Sequence, residues 1–180
     1  MVEQLVERIR QKDQRAMSQF YQMYIEELSS VCYRYVPSRS DAKDVLQNSF
    51  VKIFTTIPTI DYHSEEALWG WMKRIVVNEA LCFLRERKRL LFVKIDEAFM
   101  EEIQDEEPKP EYISADELHQ LIRELPDGYR TVMNLYIFEG YSHQKIADLL
   151  GITASTSASQ LFYAKRLLAK KIKTLMNERR

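Results

Sequence analysis

The sequence predicts an all-α chain built as two small helical domains joined by an acidic linker. Three observations carry this. Only 4 Gly and 5 Pro occur in 180 residues, too few turn formers for a loop-rich or all-β protein. Apolar residues recur at helical spacing along most of the chain, among the Leu, Arg, Lys, Glu and Gln that helices tolerate best. Charge is also partitioned. Residues 1–92 carry a net +2, residues 93–117 a net −8 and residues 118–180 a net +5, although the whole chain sums to −1. Such asymmetry signals separate domains and a polyanionic partner for the basic ends.

The first helix is expected over 2–11, with Val2, Leu5, Val6 and Ile9 on one face. A second, over 14–36, carries a wide stripe of Met17, Phe20, Tyr21, Tyr24, Leu28, Val31, Cys32 and Tyr35. Pro37-Ser38 breaks the chain. A third helix opens at Ser40 or Asp41, either of which can cap it, with Asp41 and Asp44 in the first turn where the helix dipole favours carboxylates. Pro58 closes it, and PTIDYHSEEA reads as a loop. The last helix of this half spans 67–90, with Leu68, Trp71, Ile75, Leu81 and Leu84 as its apolar set and a strongly basic end.

The segment KIDEAFMEEIQDEEPKPEYISADE, with Pro108, Pro110 and a dense run of carboxylates, repels itself and buries little. Its first half keeps some helical spacing through Ile95, Phe99 and Ile103. It fits a solvated spacer or an acidic strand that occupies a basic channel on a partner. The domains are accordingly placed at 1–92 and 116–180, with the linker at 93–115.

The C-terminal half shows four helical stretches, 114–125, 127–138, 142–150 and 154–176, separated by Pro126, Gly140 and Gly151-Ile152. The last two have helix-turn-helix spacing. Ser142 can cap the first and Thr153 the second. Ala147 is small where the helices cross, and Gly151 can take the left-handed conformation of the tight turn. Leu161, Ala164, Leu168, Ile172 and Leu175 form a buried stripe, while Ser159, Tyr163, Arg166 and Lys170 form a polar, basic face. A recognition helix for the DNA major groove is built this way.

Other classes find little support. No apolar run is long enough to span a membrane, and MVEQLVERIRQKDQ lacks a signal-peptide core, so a cytoplasmic protein is expected. Cys32 and Cys82 are far apart with no His at ligand spacing, and read as two buried free thiols. No catalytic residues, metal site or cofactor is expected. His63, His119 and His143 are isolated, and read as exposed or structural.

Three blocks in order, DAKDVLQNSFVKIF, WGWMKRIVVNEALCFLRERKR and LPDGYRTVMNLYIFEGYSHQKIADLLGITASTSASQLFYAKRLL, resemble the extracytoplasmic-function group of bacterial sigma factors along nearly the whole chain. The resemblance implies a transcription initiation factor with two promoter-reading domains. The first block is similar to the helix that docks on the β′ clamp coiled coil of core RNA polymerase, and Asp44, Gln47 and Phe50 match its pattern. The second is similar to the helix that opens and reads the minus-ten element. There Asn78 would contact a base captured after it leaves the stack. The loop of about 61–68 would help form the pocket, Trp69 and Trp71 would either stack on bases or, more commonly for such rings, anchor the core, and Lys73, Arg74, Arg85, Lys88 and Arg89 would hold phosphates. The third is similar to the domain that reads the minus-thirty-five element. Ser159, Gln160, Phe162 and Tyr163 fall on its reading helix, Phe162 against a thymine methyl, with Thr156, Lys165 and Arg166 on phosphates. The implied partners are core polymerase through the β′ clamp and β flap, promoter DNA and an anti-sigma factor, with the free chain a monomer and no part of it inserted in a membrane.

The chain departs from the family pattern in places. Cys82 stands where Asp is usual, Gln144 where Glu is common, and Ala158 and Tyr163 where Lys or Arg is common. Fewer cations on the recognition helix imply weaker phosphate contact and a flatter salt dependence upstream. The alternative to a sigma factor is a conventional regulator with this helix-turn-helix and a helical interaction domain. Such a regulator offers no purpose for the first two blocks.

Overall fold

The computed structural model describes residues 1–87 and 113–179, and these are helical with short connections. The chain divides into two compact units, Met1–Arg87 and Lys88–Arg180. The predicted linker lies outside the described residues except at its last three positions. The helical spacing through Ile95, Phe99 and Ile103, and Lys88 and Arg89, also lie outside them.

The first unit has four helices: α1 (Val2–Arg10), α2 (Gln14–Tyr35), α3 (Arg39–Thr56) and α4 (Glu65–Glu86), with a short 3-10 turn at Ile57–Thr59. In α1 the four predicted apolar residues are all buried. Asp13 caps α2, accepting from the amides of Arg15 at 2.9 Å and Ala16 at 3.2 Å. Asp13 also accepts from Arg8 across the α1–α2 junction at 2.9 Å. Lys12, at the same junction, has a φ of 60°.

Two boundaries shift from expectation. The cap of α3 is Ser38, whose hydroxyl accepts from the Asp41 amide at 3.4 Å, so the helix opens before Ser40 and Asp44 lies beyond its first turn. Helix α4 begins at Glu65 because Ser64 caps it, accepting from the Ala67 amide at 3.1 Å, and Glu65 and Glu66 occupy the dipole-favoured first turn. The buried stripe of α4 is Leu68, Met72, Val76, Val77, Ala80, Leu81 and Leu84, which rotates Trp71 and Ile75 to its edge. This helix packs chiefly on α2 and α3.

The second unit holds α5 (Ala115–Arg123), α6 (Asp127–Ile137), α7 (His143–Leu150) and α8 (Ala154–Glu178). A capping box starts α5: Ser114 accepts from the Glu117 amide, and the Glu117 carboxylate accepts from the Ser114 amide at 2.9 Å. Arg130 is 2% exposed and staples the α5–α6 turn. It donates to the carbonyls of Leu125 at 2.6 Å and Arg123 at 3.2 Å and pairs with Asp127. The helix-turn-helix is formed as expected. Ser142 and Thr153 cap α7 and α8, and Gly151 at φ 67° ends α7 in the left-handed region. Leu161, Ala164 and Ile172 are buried, whereas Leu168 and Leu175 are only half-buried.

Candidate nucleic-acid and polymerase interfaces

In the first unit, the side of α4 opposite its buried stripe is the natural place for a ligand. At 3.6 residues per turn, Trp71, Arg74, Asn78, Cys82 and Arg85 fall on one face, and all but half-buried Trp71 are exposed. One ring, two cations and a side-chain amide thus share a strip, the combination a single strand needs for stacking, backbone charge and edge hydrogen bonds. Lys73 is not on this strip. It lies about 140° away around the helix and is half-buried. Cys82 is exposed, not buried as expected. Cys32 is buried, and burial pushes its thiol up to about 12, leaving it inert at neutral pH.

The strip adjoins a cleft of about 200 Å³ lined by residues of the 60–64 loop and by Ala67, Leu68 and Trp71. That is below the ~300–1,000 Å³ of sites for drug-sized ligands, and suits one flat ring. Ala67 and Leu68 contribute apolar lining, Trp71 an aromatic ring, and Asp61, Tyr62 and His63 polar groups. The two tryptophans divide here. Trp69 turns inward and stacks on Tyr24 at 6.5 Å and 22°, while Trp71 lines the cleft.

Between α2 and α3 runs a larger groove, about 650 Å³, lined in part by Tyr21, Tyr33, Gln47, Phe50 and Val51. Asp44 and Gln47 are exposed on α3, as a docking surface requires. Phe50 is 4% exposed, with its ring 4.6 Å from that of Tyr21. It therefore floors the groove and does not project from it. Sequence reasoning missed Tyr21 at 43% and Val51 at 59% exposure as parts of this groove. Val51 carried a signal, four residues after Gln47 and off the buried stripe.

In the second unit, Ser159, Phe162 and Arg166 share the outward face of α8, with Thr156 and Tyr163 half-buried at its edge and Lys165 exposed on its flank. Phe162 is 53% exposed, and the Arg166 guanidinium lies 5.4 Å over its ring. The Ser159 hydroxyl donates to the Ser155 carbonyl at 3.0 Å, so its lone pairs face outward as acceptors. Thr156 shares a 2.8 Å hydrogen bond with the capping Thr153. Tyr163 packs edge-on against Tyr129 at 6.4 Å, which makes this departure from a cation a packing residue. Gln160 is 4% exposed, and its Oε1 is buried without a hydrogen bond from any described residue. It belongs to the interior and cannot reach a base from there, a further correction.

Among the described residues no helix is long and apolar enough to cross a membrane, and no group of three or more His, Cys, Asp or Glu could hold a metal ion.

Residues 20–90 match the family described as Sigma-70 region 2, and residues 115–168 match Sigma-70, region 4. The chain is 30% identical to the ECF RNA polymerase sigma-E factor of Haemophilus influenzae, over 96% of this chain and 95% of that one. It is 29% identical to the RNA polymerase sigma-H factor of Pseudomonas aeruginosa, over 98% and 96%. A solved sigma factor RpoE from Bartonella quintana, in complex with the anti-sigma factor NepR, shares the fold at a TM-score of 0.50 and 18% identity, covering 87% and 96% of the two chains.

Proposed function

Because this chain belongs to the sigma-70 family, in its extracytoplasmic-function group, we propose that its two units divide promoter recognition between the α4 strip and the α8 face. The protein is a sigma factor: it binds core RNA polymerase and directs it to promoters. The observation that carries the division of labour is the strip of Trp71, Arg74, Asn78 and Arg85 beside the cleft at 60–71. A base that leaves the stack enters the cleft against Trp71, with Asn78 offering an amide to its edge and Arg74 and Arg85 holding the strand. Lys88 and Arg89 extend this basic track in sequence. Capture of unstacked bases opens DNA without ATP, because the binding free energy of the single strand offsets the lost pairing.

On α8, Phe162 presents an apolar ring to a thymine methyl and Ser159 an acceptor to a base edge, while Arg166, Lys165 and Thr156 meet phosphates. Asp44 and Gln47 dock on the β′ clamp, with the groove floored by Phe50 beneath them. The β flap is the expected partner of the second unit. An anti-sigma factor is the expected inhibitor, such as the one bound to the Bartonella relative. A conventional regulator would leave the match of residues 20–90 to region 2 unexplained.

The test is transcription in vitro with purified core polymerase, where initiation at specific sites is expected only when this protein is added. Asn78→Ala should lower open-complex formation on the order of 10–100-fold, the value of one good base contact, with core binding unchanged. Loss of core binding by this variant would overturn the division.

A further inference from the structure

Helix α1 lies outside the region matched to Sigma-70 region 2, which starts at residue 20, yet it is fully engaged in the first unit. Val2, Leu5, Val6 and Ile9 are buried, and the helix packs on α2 and on the 3-10 turn at Ile57–Thr59. At its last residue Arg10 reaches across fifty positions of sequence and donates from Nη2 to the carbonyl of Ile60 at 2.6 Å. The guanidinium is held in turn by Glu7, whose carboxylate accepts from Nη1 at 3.0 Å. This end of the helix thus holds the chain at Ile60, a residue that lines the cleft.

That stretch needs support from outside. From Ile60 to Ser64 the chain belongs to no helix, so helical hydrogen bonds do not set its path. A carbonyl held by a guanidinium is the strong, charge-assisted kind of hydrogen bond. A site that captures a base must be formed beforehand, because ordering a loose loop on binding subtracts from affinity and blurs discrimination between bases.

We propose that α1 braces the mouth of the base-capturing cleft through Arg10, a positioning residue that fixes the 60–63 loop without touching DNA. This rests on the reading of the 60–71 cleft as the site of base capture. The Arg10–Ile60 bond sets where the loop leaves the 3-10 turn, and Glu7 keeps the guanidinium from turning to solvent or to a nearby phosphate. Arg10 therefore acts on which base is preferred, not on total phosphate affinity.

The test uses holoenzyme assembled from core polymerase and the full chain. The probe is forked DNA selected from random sequence by the wild-type holoenzyme, with each of the four bases then placed at the captured position. Arg10→Met keeps the aliphatic stem and removes the donor, and is expected to cost about tenfold in base preference, with Arg10→Lys restoring part of it. Amide exchange at Asp61–His63 in the free Arg10→Met protein should quicken while exchange in α2 and α3 does not. Unchanged base preference and unchanged loop exchange in Arg10→Met would overturn the brace. The double variant Asp61→Ala/His63→Ala separates the two claims. If it loses base preference while Arg10→Met keeps it, the brace alone falls. If the double variant keeps its preference as well, the cleft is not the reader and both fall.

Discussion

At the scale of single residues, rotation about a helix axis decides who can touch a ligand. Gln160 and Ser159 are neighbours in sequence, yet Ser159 is exposed and Gln160 is 4% exposed. A step of about 100° separates them, enough to carry one side chain from solvent to core. The family resemblance put Gln160 on the reading helix, and burial removes it from the reading face. Its Oε1 has no hydrogen bond from the described residues, a burden that typically costs about 1–3 kcal/mol. Gln160→Met is therefore expected to raise the melting temperature of the second unit, with affinity for upstream duplex DNA unchanged. Weaker DNA binding by a fully folded Gln160→Met protein would return Gln160 to the interface. On α4, Lys73 lies by helical phase on a different side from Arg74 and Asn78. Asn78, Arg74, Arg85, Ser159 and Phe162, which the family resemblance put on the two DNA-reading helices, are exposed, and Arg166 is half-buried.

At the scale of elements, caps were more informative than apolar periodicity. Ser142, Thr153 and Gly151 were read in place because each sits alone at its boundary with a single role open to it. At α3 and α4 two or more candidates competed. Ser38 prevailed over Ser40, and Ser64 recruited Glu65 and Glu66 into a helix that apolar spacing alone started later. The α2 cap lends itself to a pH test. The Arg8 guanidinium beside Asp13, helped by the Ala16 and Arg15 amides, holds its carboxyl below the ordinary carboxylate range. A depressed carboxyl stabilises the fold at pH above its unfolded value, and the contribution fades as pH falls through the folded one. The melting temperature of the wild type should thus drop on acidification below about pH 4. Asp13→Asn, which keeps a capping oxygen but loses the charge, should show a shallower drop in a melting series from neutral to acid pH. Equal slopes would show that the Arg8 pairing contributes nothing to stability.

At the scale of the whole molecule, the two units each enclose their own core. In the second, Leu121, Ile122, Leu125, Val132, Leu135, Ile146, Leu161 and Ala164 are buried together with the stapling Arg130. A fragment of residues 113–180 should fold alone and unfold cooperatively in urea, with a stability of about 3–5 kcal/mol, as expected of a core this small. A non-cooperative transition, monitored by helical circular dichroism, would contradict this.

The sequence by itself determined the all-α class, the division into two basic halves about an acidic centre, the helix-turn-helix and the family. These follow from local properties: spacing, turn residues, charge and motif order. Tertiary structure alone decided which aromatic rings pack in the interior and which line an open cleft or groove. Trp69 stacks on Tyr24, Trp71 lines the cleft, Phe50 floors a groove with Tyr21, and Tyr163 leans on Tyr129. It also brought Arg10 to Ile60. Such outcomes depend on the angle at which one helix meets another and on contacts between residues far apart in the chain, and no local pattern encodes either. The interfaces therefore have their residue types written in the sequence, whereas the assignment of each residue to core or surface waits on packing.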